Sequence, residues 1–517
     1  MPAKHAGNMS TRVNPLITLP RRLKRKCNKE MPSCSLCIRL GKVCDYSNPS
    51  SSRATEAAGL YPLFEDPSCS FPSSFFMDAH LFTPLNTTNA LTRGPTSRLK
   101  LITSDHLAIE ERGALHEAYF TSMHQWLPMI SEKRLLDARL ALHDACHDLL
   151  LLCMKLCIIR VDKSPPSQHP LYCLAKYLSS SAENEGLASL RLIQALVLLA
   201  VYELSHAIHP AAYLTIGRAA RLVILMGWHD RDAQQLFKPA DTWSLLEEQR
   251  RTWWSVFILD RVINTETSGL PFATPEPSPD ELLPVNDEDW GRGKSIPSQP
   301  LYTASFSTYA PLGCFARTCQ AAHMLGKVIN NRDAKQRSSQ EATDLLTEAQ
   351  GLHQALAALK LSIEQTAGCE SGESEYPLWS AISICVSAQS LLYSSYGCPD
   401  APGTASRARL ALDTEMQGLS VEGLRVLASS TGPRLAQIPT QCPLMARCFY
   451  AAAAACAWFI REDGEPEMRV ALRQMVSSLT VLSTRWAIAG EYLALLEQSG
   501  TLNLVNTEPI MVDAFSQ

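Results

Sequence analysis

The chain has 517 residues, of which 46% are hydrophobic and 19% charged, and its formal net charge is −4. This length predicts two to four structural units, and the composition is that of an ordinary globular protein. The longest apolar runs, Ala195–Tyr202 and Phe449–Ile460, are too short to span a membrane, and the N-terminus lacks the apolar stretch of a signal peptide. Neither a membrane protein nor a secreted protein is therefore expected.

Charge is distributed unevenly along the chain. Residues 1–53 contain eleven lysines and arginines and two acidic residues, a net charge of +9, so the remaining chain carries −13. A basic head on an acidic body is typical of a protein in which one region binds a polyanion and a separate body does not. The head is therefore the candidate region for binding nucleic acid.

Composition also predicts the domain organisation. Residues 1–20 have no distinctive feature and are predicted to be unstructured, residues 21–47 are basic and rich in cysteine, and residues 48–100 are rich in Ser, Pro, Thr and Asn. The absence of helical periodicity from 48 to 100 predicts a flexible, disordered linker. From residue 101 onward the chain is predicted to form a large all-α domain, so the fold class is mainly α.

Seven segments of this body are long and apolar enough to prefer helix over strand. They are Ser189–His206, Ala211–Gly227, Leu245–Asn264, Gln340–Glu364, Leu378–Tyr396, Pro443–Arg461 and Pro466–Glu497. Gly227 is predicted to end the second of them as a helix C-cap.

Four cysteines in the basic head have the spacing Cys27-x6-Cys34-x2-Cys37-x6-Cys44. Four thiols within so short a stretch, two of them in a Cys-x2-Cys pair, suit thiolate coordination of zinc. The alternative is a chance cluster of cysteines, which this spacing disfavours. The head is therefore predicted to be a zinc-binding module.

The sequence around these cysteines resembles the fungal Zn2Cys6 (binuclear zinc cluster) transcription factors. The pattern of that family is Cys-x2-Cys-Arg-x2-Lys-x-Lys-Cys, a loop with proline, and then Cys-x2-Cys-x6-Cys-x-Tyr. The residues that match it here are Arg21, Lys24, Lys26, Cys27, Pro32, Cys34, Cys37, Cys44 and Tyr46.

This resemblance implies zinc ligands and DNA contacts. The implied ligands are Cys27, Cys34, Cys37 and Cys44, and the helix that enters the major groove would begin in Arg21–Lys26. Lys24 is the candidate for a guanine contact in a CGG-like half-site. The neighbours implied to hold phosphates are Arg21, Arg22, Arg25 and Lys26. The basic run alone would be a nuclear localisation signal, and both roles can coexist.

The chain departs from the family pattern at its first two ligands. Ile17 and Pro20 stand where the family has cysteines. Because six thiolates hold two zinc ions in the family, a two-metal cluster cannot close on the remaining four, although four thiols suit one tetrahedral zinc. Two explanations stay open: residues 1–20 come from an incorrect gene structure, or DNA binding has been lost and the protein acts through partners.

A second resemblance lies in the helical body and is to the regulatory "middle homology" domain of the same family. The matching stretches are Tyr119–Ile130, Tyr213–Asp232, Glu247–Phe272 and Leu283–Trp290. This resemblance implies that residues 101–300 are the core of the regulatory domain and that residues 301–517 are its helical continuation.

The third stretch is the most specific. Charged residues three or four positions apart predict ion pairs on one helix, and the pairs are Glu247/Arg250, Glu247/Arg251 and Glu248/Arg251. Trp253, Val256 and Phe257 lie on or near an apolar stripe, which favours packing of the core. The alternative interpretation is a pocket for an effector or repressor.

No motif of an enzyme is present, so no catalytic residue is predicted. The segment His143-Asp144-x2-His147-Asp148 lacks a third metal ligand, and a solvated helix face is favoured over a metal site. The sequence predicts a nuclear, sequence-specific transcription factor for RNA polymerase II genes, with a metabolic or biosynthetic gene set as its target. Its expected partners are double-stranded DNA and the transcription machinery or co-regulators, without a membrane. The alternative is a regulator that does not bind DNA and acts through protein or small-molecule partners.

Overall fold

The computed structural model describes residues 69–70, 111–137, 145–160, 165–230, 240–302, 312–337, 342–369, 378–398, 407–437 and 442–506. All of them belong to Phe64–Gln517, the second of the two units into which the chain divides. None of the helices in these ranges combines the length and apolarity that a bilayer crossing needs.

Helices account for nearly all the regular structure of the described residues, which confirms the mainly α fold class. The first eight are α1 (Glu111–Phe120), α2 (Glu132–Asp137), α3 (Ala145–Ile158), α4 (Pro170–Asn184), α5 (Leu190–Ser205), α6 (Ala211–Leu225), α7 (Trp243–Ile263) and α8 (Asp287–Arg292). The next five are α9 (Cys314–Arg337), α10 (Ala342–Cys369), α11 (Leu378–Tyr396), α12 (Arg407–Val426) and α13 (Gly432–Ala436). The last four are α14 (Met445–Glu462), α15 (Pro466–Ser483), α16 (Ala487–Gln498) and α17 (Asn503–Asn506).

One short antiparallel pair of strands accompanies the helices. Strand β1 (Cys69–Ser70) pairs with β2 (Leu187–Ala188), and Cys69 lies opposite Ala188. Strand β1 belongs to the segment that is predicted to be a linker, so two residues of that segment do contact the helical body. The rest of the predicted linker lies outside the described residues.

Local signals set several helix ends. The Ser189 hydroxyl accepts a hydrogen bond from the backbone nitrogen of Leu192 (3.1 Å) and caps α5. Thr242 caps α7 in the same way. Gly227 has φ +77° just beyond α6, the left-handed conformation that glycine adopts without strain, so its predicted role as a C-cap is confirmed.

The apolar segment 466–497 is two helices rather than one. Helix α15 ends at Ser483 and α16 begins at Ala487, with Trp486 in an extended conformation between them. The Trp486 ring is buried, so the chain changes direction where this side chain enters the core. Periodicity continues across the turn because both helices present an apolar face, and for this reason the sequence does not show the break.

The helices pack around one hydrophobic core that includes residues from Leu115 to Leu496. Helix α5 lies at its centre: all its residues except Arg191 are buried, as is typical of a helix that is apolar on every side. Six helices contact one another in a closed circuit, in the order α5, α7, α9, α11, α14, α16 and back to α5. The N-terminal and C-terminal halves of the body therefore share one core.

Candidate regulatory site

Arg251 on α7 joins segments that are far apart in the sequence. Its side chain is fully buried, and its Nε donates to the Glu247 carboxylate (3.1 Å). The terminal guanidinium nitrogens donate to the carbonyl oxygens of Pro128 (3.1 Å) and Val285 (2.7 Å), and to the Asp287 carboxylate (2.5 Å). One guanidinium thus fastens the first and last of the four matching stretches to the third.

Two of the three predicted ion pairs on α7 are present. The Glu247 carboxylate accepts from Arg250 (2.5 Å) and from Arg251 (3.1 Å). The prediction of a Glu248/Arg251 pair is wrong, because Glu248 accepts instead from Nε of Arg134 at the start of the body (2.6 Å). Helical spacing allowed Arg251 as a partner on the same helix, and the fold brings the distant Arg134 on α2 to Glu248 instead.

The end of α7 holds a second buried ion pair. The Arg261 guanidinium lies between the rings of Phe257 (4.1 Å) and Phe272 (3.8 Å), and burial lowers its pKa. The Asp260 carboxylate accepts from Arg261 (2.7 Å) and from the backbone nitrogen of Thr274 (2.9 Å). These contacts fix the Gly-Leu-Pro-Phe segment to the helix that precedes it.

The aromatic residues of α7 pack the core, as predicted. The side chains of Trp253, Val256 and Phe257 are fully buried. The solvated-face interpretation of the histidine and aspartate segment is wrong for its described half: His147 is 1% exposed and Asp148 is 5% exposed, because α3 is enclosed by its neighbours. Among the described residues, no group of three or more His, Cys, Asp or Glu is placed to hold a metal ion.

A cavity of about 320 Å³ is lined by residues from each of the six helices of the circuit, and it opens to solvent beside the exposed residues Pro210 and Leu270. We call it the central cavity. Its apolar wall includes Leu204, Val262, Ile263, Leu270, Leu325, Ile384, Leu444 and Ile488. Its polar residues include Ser205, Glu266, Arg447 and Tyr492. Arg447 and Glu266 form an ion pair (2.5 Å), and burial raises the pKa of Tyr492, which therefore stays a neutral donor.

A second opening, of about 560 Å³, lies between α4, α5, α6 and the Pro271–Ala273 segment. Residues of the second matching stretch, among them Tyr213, Gly217 and Arg218, line this opening. Arg218 pairs there with Glu183 (2.6 Å). Tyr213 lines both openings, so the second stretch separates them.

The sequence assigned no ligand-binding role to any residue of the central cavity, although Tyr213 and Glu266 lie in two of the matching stretches. The polar residues of the cavity come from α5, α11, α14 and α16 and from the segments that follow α5 and α7, and no spacing rule connects them. Only the packing of these helices brings Ser205, Arg447 and Tyr492 to one wall.

Two family models match the chain. The fungal Zn(2)-Cys(6) binuclear cluster domain matches residues 21–53, and the fungal specific transcription factor domain matches residues 117–360. Transcription factor BOA15 of Botryotinia fuckeliana is 36% identical over 184 residues, which are 34% of this chain and 98% of that protein. The chain belongs to the fungal Zn2Cys6 transcription factors. It is therefore a transcription regulator, which agrees with the prediction that it is not an enzyme.

Other Zn2Cys6 relatives are similar over smaller parts of their length. The azaphilone cluster-specific transcription factor azaR of Aspergillus niger is 26% identical over 35% of this chain and 41% of its own length. The depudecin biosynthesis cluster-specific transcription activator DEP6 of Fusarium langsethiae is 26% identical over 32% of this chain and 29% of its own length. The matches thus span less than half of these two relatives. No solved structure matches the chain.

The zinc module of this Zn2Cys6 chain lies outside the described residues. The residues concerned are the predicted ligands Cys27, Cys34, Cys37 and Cys44 and the predicted DNA contacts Arg21, Arg22, Lys24, Arg25 and Lys26. The matched domain is a zinc-binding cluster, so zinc is its cofactor. Residues 21–53 supply four thiols. This donor set fits one tetrahedral zinc and does not fit the two-metal cluster, which takes six thiolates.

Proposed function

We propose that this protein is a nuclear transcription factor that controls a biosynthetic gene set through a zinc-dependent DNA-binding module and a helical regulatory domain. The order of the two family matches carries this proposal: a basic cysteine module at 21–53 precedes the regulatory domain at 117–360. The choice of gene set rests on relatives that are named for azaphilone and depudecin clusters. Nuclear localisation rests on the family and on the basic run Arg21–Lys26.

DNA recognition in this proposal divides into affinity and base preference. The +9 charge of residues 1–53 supplies attraction to the phosphates of double-stranded DNA. Arg21, Arg22, Arg25 and Lys26 hold phosphates, and Lys24 donates to the guanine edge of a CGG-like half-site. Co-regulators or the transcription machinery then bind the complex.

A mobility-shift titration of the full chain on a duplex with a CGG half-site tests this division. If four phosphates are neutralised, affinity should fall about 100-fold between 50 and 200 mM salt. Lys24→Ala should cost about 1–3 kcal/mol of binding free energy and relax the preference for the half-site over a scrambled duplex. Arg292→Ala, which changes an exposed side chain of the helical body outside residues 1–53, should leave both unchanged. An unaltered base preference in Lys24→Ala would refute the role of that residue.

Zinc stoichiometry tests the module itself. Four thiolates hold one zinc, so elemental analysis of the purified chain should give about one zinc per chain. The double variant Ile17→Cys, Pro20→Cys restores the two missing ligands and should give about two. Because small metal modules fold with their metal, this variant should also bind the duplex more tightly. Two zinc ions on the unaltered chain would contradict the assignment of four ligands.

A second candidate function is a regulator that acts through protein or small-molecule partners without binding DNA. Ile17 and Pro20 at the positions of the first two cysteines favour it. If this function is correct, the unaltered chain should give no salt-sensitive mobility shift of the duplex. The regulatory domain should still control transcription when another DNA-binding domain tethers it to a promoter.

A further inference from the structure

Strand β1 brings the predicted linker to the rim of the second opening. Its first residue, Cys69, lies opposite Ala188 of β2, and its second, Ser70, lies opposite Leu187. Both residues of β2 line the second opening. The unit that contains the helical body begins at Phe64, so it includes the residues on both sides of β1. The linker therefore meets the helical body at this opening.

The second opening is an apolar groove that solvent reaches. Its wall is mainly aliphatic and aromatic and includes Leu192, Leu196, Leu222, Leu225, Pro271 and Phe272. Leu214, which also lines it, is 59% exposed. A methyl group added at Gly217 would meet no atom of the described residues within 4 Å, so there is room beside α6. An uncovered apolar wall favours the burial of another apolar group against it.

Two paired residues alone do not hold a linker on a protein surface. Fixing the backbone of a residue costs conformational entropy about as large as the net gain from one backbone hydrogen bond. An isolated two-stranded pairing is at best marginally stable for this reason. The pairing of β1 with β2 therefore needs a neighbouring apolar side chain that is buried against the body.

Phe71, which follows β1 directly, is the candidate for that side chain. It lies outside the described residues, and the register of the ladder, continued by one residue, places it opposite Gly186. Gly186 also lines the groove and has φ +67°, and it presents no side chain to compete for the space. An aromatic residue opposite a glycine is a known way to stabilise the edge of a sheet. On the other side of β1 the neighbours are Ser68 and Pro67, which offer no ring.

Charge favours the same arrangement. Glu65 and Asp66 precede β1, and the antiparallel direction leads this part of the chain from Ala188 towards the start of α5. Arg191, in the first turn of α5, is the one residue of that helix that is not buried. Acidic side chains are favourable near a helix N-terminus and near a cation. The acidic residues before β1 and the aromatic residue after it therefore match the two ends of β2.

We propose that the ring of Phe71 occupies the second opening, so that residues 69–71 anchor the linker to the helical body of the same chain. We call these three residues the linker anchor. Cys44, the last predicted zinc ligand, is separated from Cys69 by 24 residues and from Glu111, where α1 begins, by 66 residues. The anchor therefore shortens the free tether of the zinc module to about a third of its length. This inference goes beyond the proposed function, since anchoring does not require DNA binding.

A disulfide across the ladder reports on the linker anchor in the full chain. Opposed residues of antiparallel strands have Cα atoms about 4.5–5.5 Å apart, which a disulfide spans. Ala188→Cys gives the native Cys69 a partner, and glutathione disulfide oxidises the two thiols while it is reduced to two glutathione molecules. Mass spectrometry of tryptic peptides identifies the bond, since Cys69 is the only cysteine between Arg53 and Arg93. A bond from Cys69 to the introduced cysteine within one chain is expected. Absence of this bond, or a bond that joins two chains, overturns the proposal.

Matched variants of the Ala188→Cys chain test the part played by Phe71 and the groove. Phe71→Ala should slow formation of the disulfide at least 5-fold, whereas Phe82→Ala, farther along the linker, should not. Gly217→Trp fills the groove and should also slow it at least 5-fold, whereas Gly351→Trp, at an exposed glycine of α10, should not. An unchanged rate in Phe71→Ala, or equal rates in the two tryptophan variants, would overturn the proposal.

Two controls keep these outcomes separate. Circular dichroism verifies the fold of each variant, and if Gly217→Trp is misfolded, the two phenylalanine variants decide. The mobility shift of the same proteins reports on the proposed function independently of the disulfide.

Discussion

Replacing Arg251 with methionine removes the guanidinium that fastens three segments of the regulatory domain together. Methionine keeps an unbranched apolar stem of similar length, so the change is mainly the loss of charge and donors. The substitution leaves the buried Glu247 carboxylate with Arg250 as its remaining cation. It also leaves the carbonyl oxygens of Pro128 and Val285 without this donor.

The expected loss of stability follows from burial. Removing one partner of a buried ion pair costs about 3–5 kcal/mol, because the other charge stays in a poorly solvated site. Arg250 continues to compensate Glu247, which lowers the loss, whereas two unpaired carbonyl groups raise it. We therefore expect the free energy of unfolding to fall by about 4 kcal/mol. The same change at Arg292, which is 67% exposed in its pair with Glu288, should cost about 0–1 kcal/mol.

Urea unfolding measures this difference. Tryptophan fluorescence follows the transition, since Trp253 and Trp254 next to the substituted site are fully buried. The free energies of unfolding of Arg251→Met and Arg292→Met are compared with the slope of free energy against urea concentration held equal for the two variants. The double variant Glu247→Gln, Arg251→Met should lose about 1–3 kcal/mol less than the sum of its single variants. If Arg251→Met is no less stable than Arg292→Met, the buried network does not hold the domain together and the reasoning is refuted.

Three further predictions concern close packing, pH and metal. Gly326→Ala should lower the free energy of urea unfolding by about 1–3 kcal/mol, because its Cβ would lie 2.7 Å from Nε of the buried Arg261. Gly217→Ala is the control: it has open space around it and should raise that free energy by about 0.5–1 kcal/mol. Equal effects of the two substitutions would contradict this reasoning. Burial lowers the pKa of His124 to about 3 and that of His206 to about 4. Below about pH 6.5 the unfolded chain therefore binds more protons at these two histidines than the folded chain does. The free energy of unfolding should fall by about 3 kcal/mol between pH 7.5 and pH 5.5 for this reason. Replacing both histidines with glutamine should remove most of that fall, and an unchanged fall would show that other groups cause it. Chelation of zinc should abolish the DNA mobility shift and leave the helical circular dichroism signal nearly unchanged; extensive loss of helix would place a structural metal in the body.

The sequence by itself determined the features that depend on neighbours along the chain. The segment Ser189–His206 corresponds to α5 with its two cap residues, and Leu378–Tyr396 is α11. Periodicity of 3.6 residues and the capping side chains act within a turn or two of helix, so they can be read without knowing the fold. The family signatures were also visible in the sequence, since they are fixed residue types at fixed spacings. The zinc and DNA residues stay predictions from that pattern.

Tertiary structure alone decided the features that depend on contacts between segments far apart in the sequence. Glu248 had a possible cation on its own helix and pairs with Arg134 instead, and the apolar stretch 466–497 turns at Trp486 because its ring enters the core. The central cavity belongs to the same class, because its lining residues come from helices that are far apart in the sequence, among them α5 and α14. Burial of a side chain depends on which helix faces meet, and that information is spread over the whole chain rather than contained in any one segment.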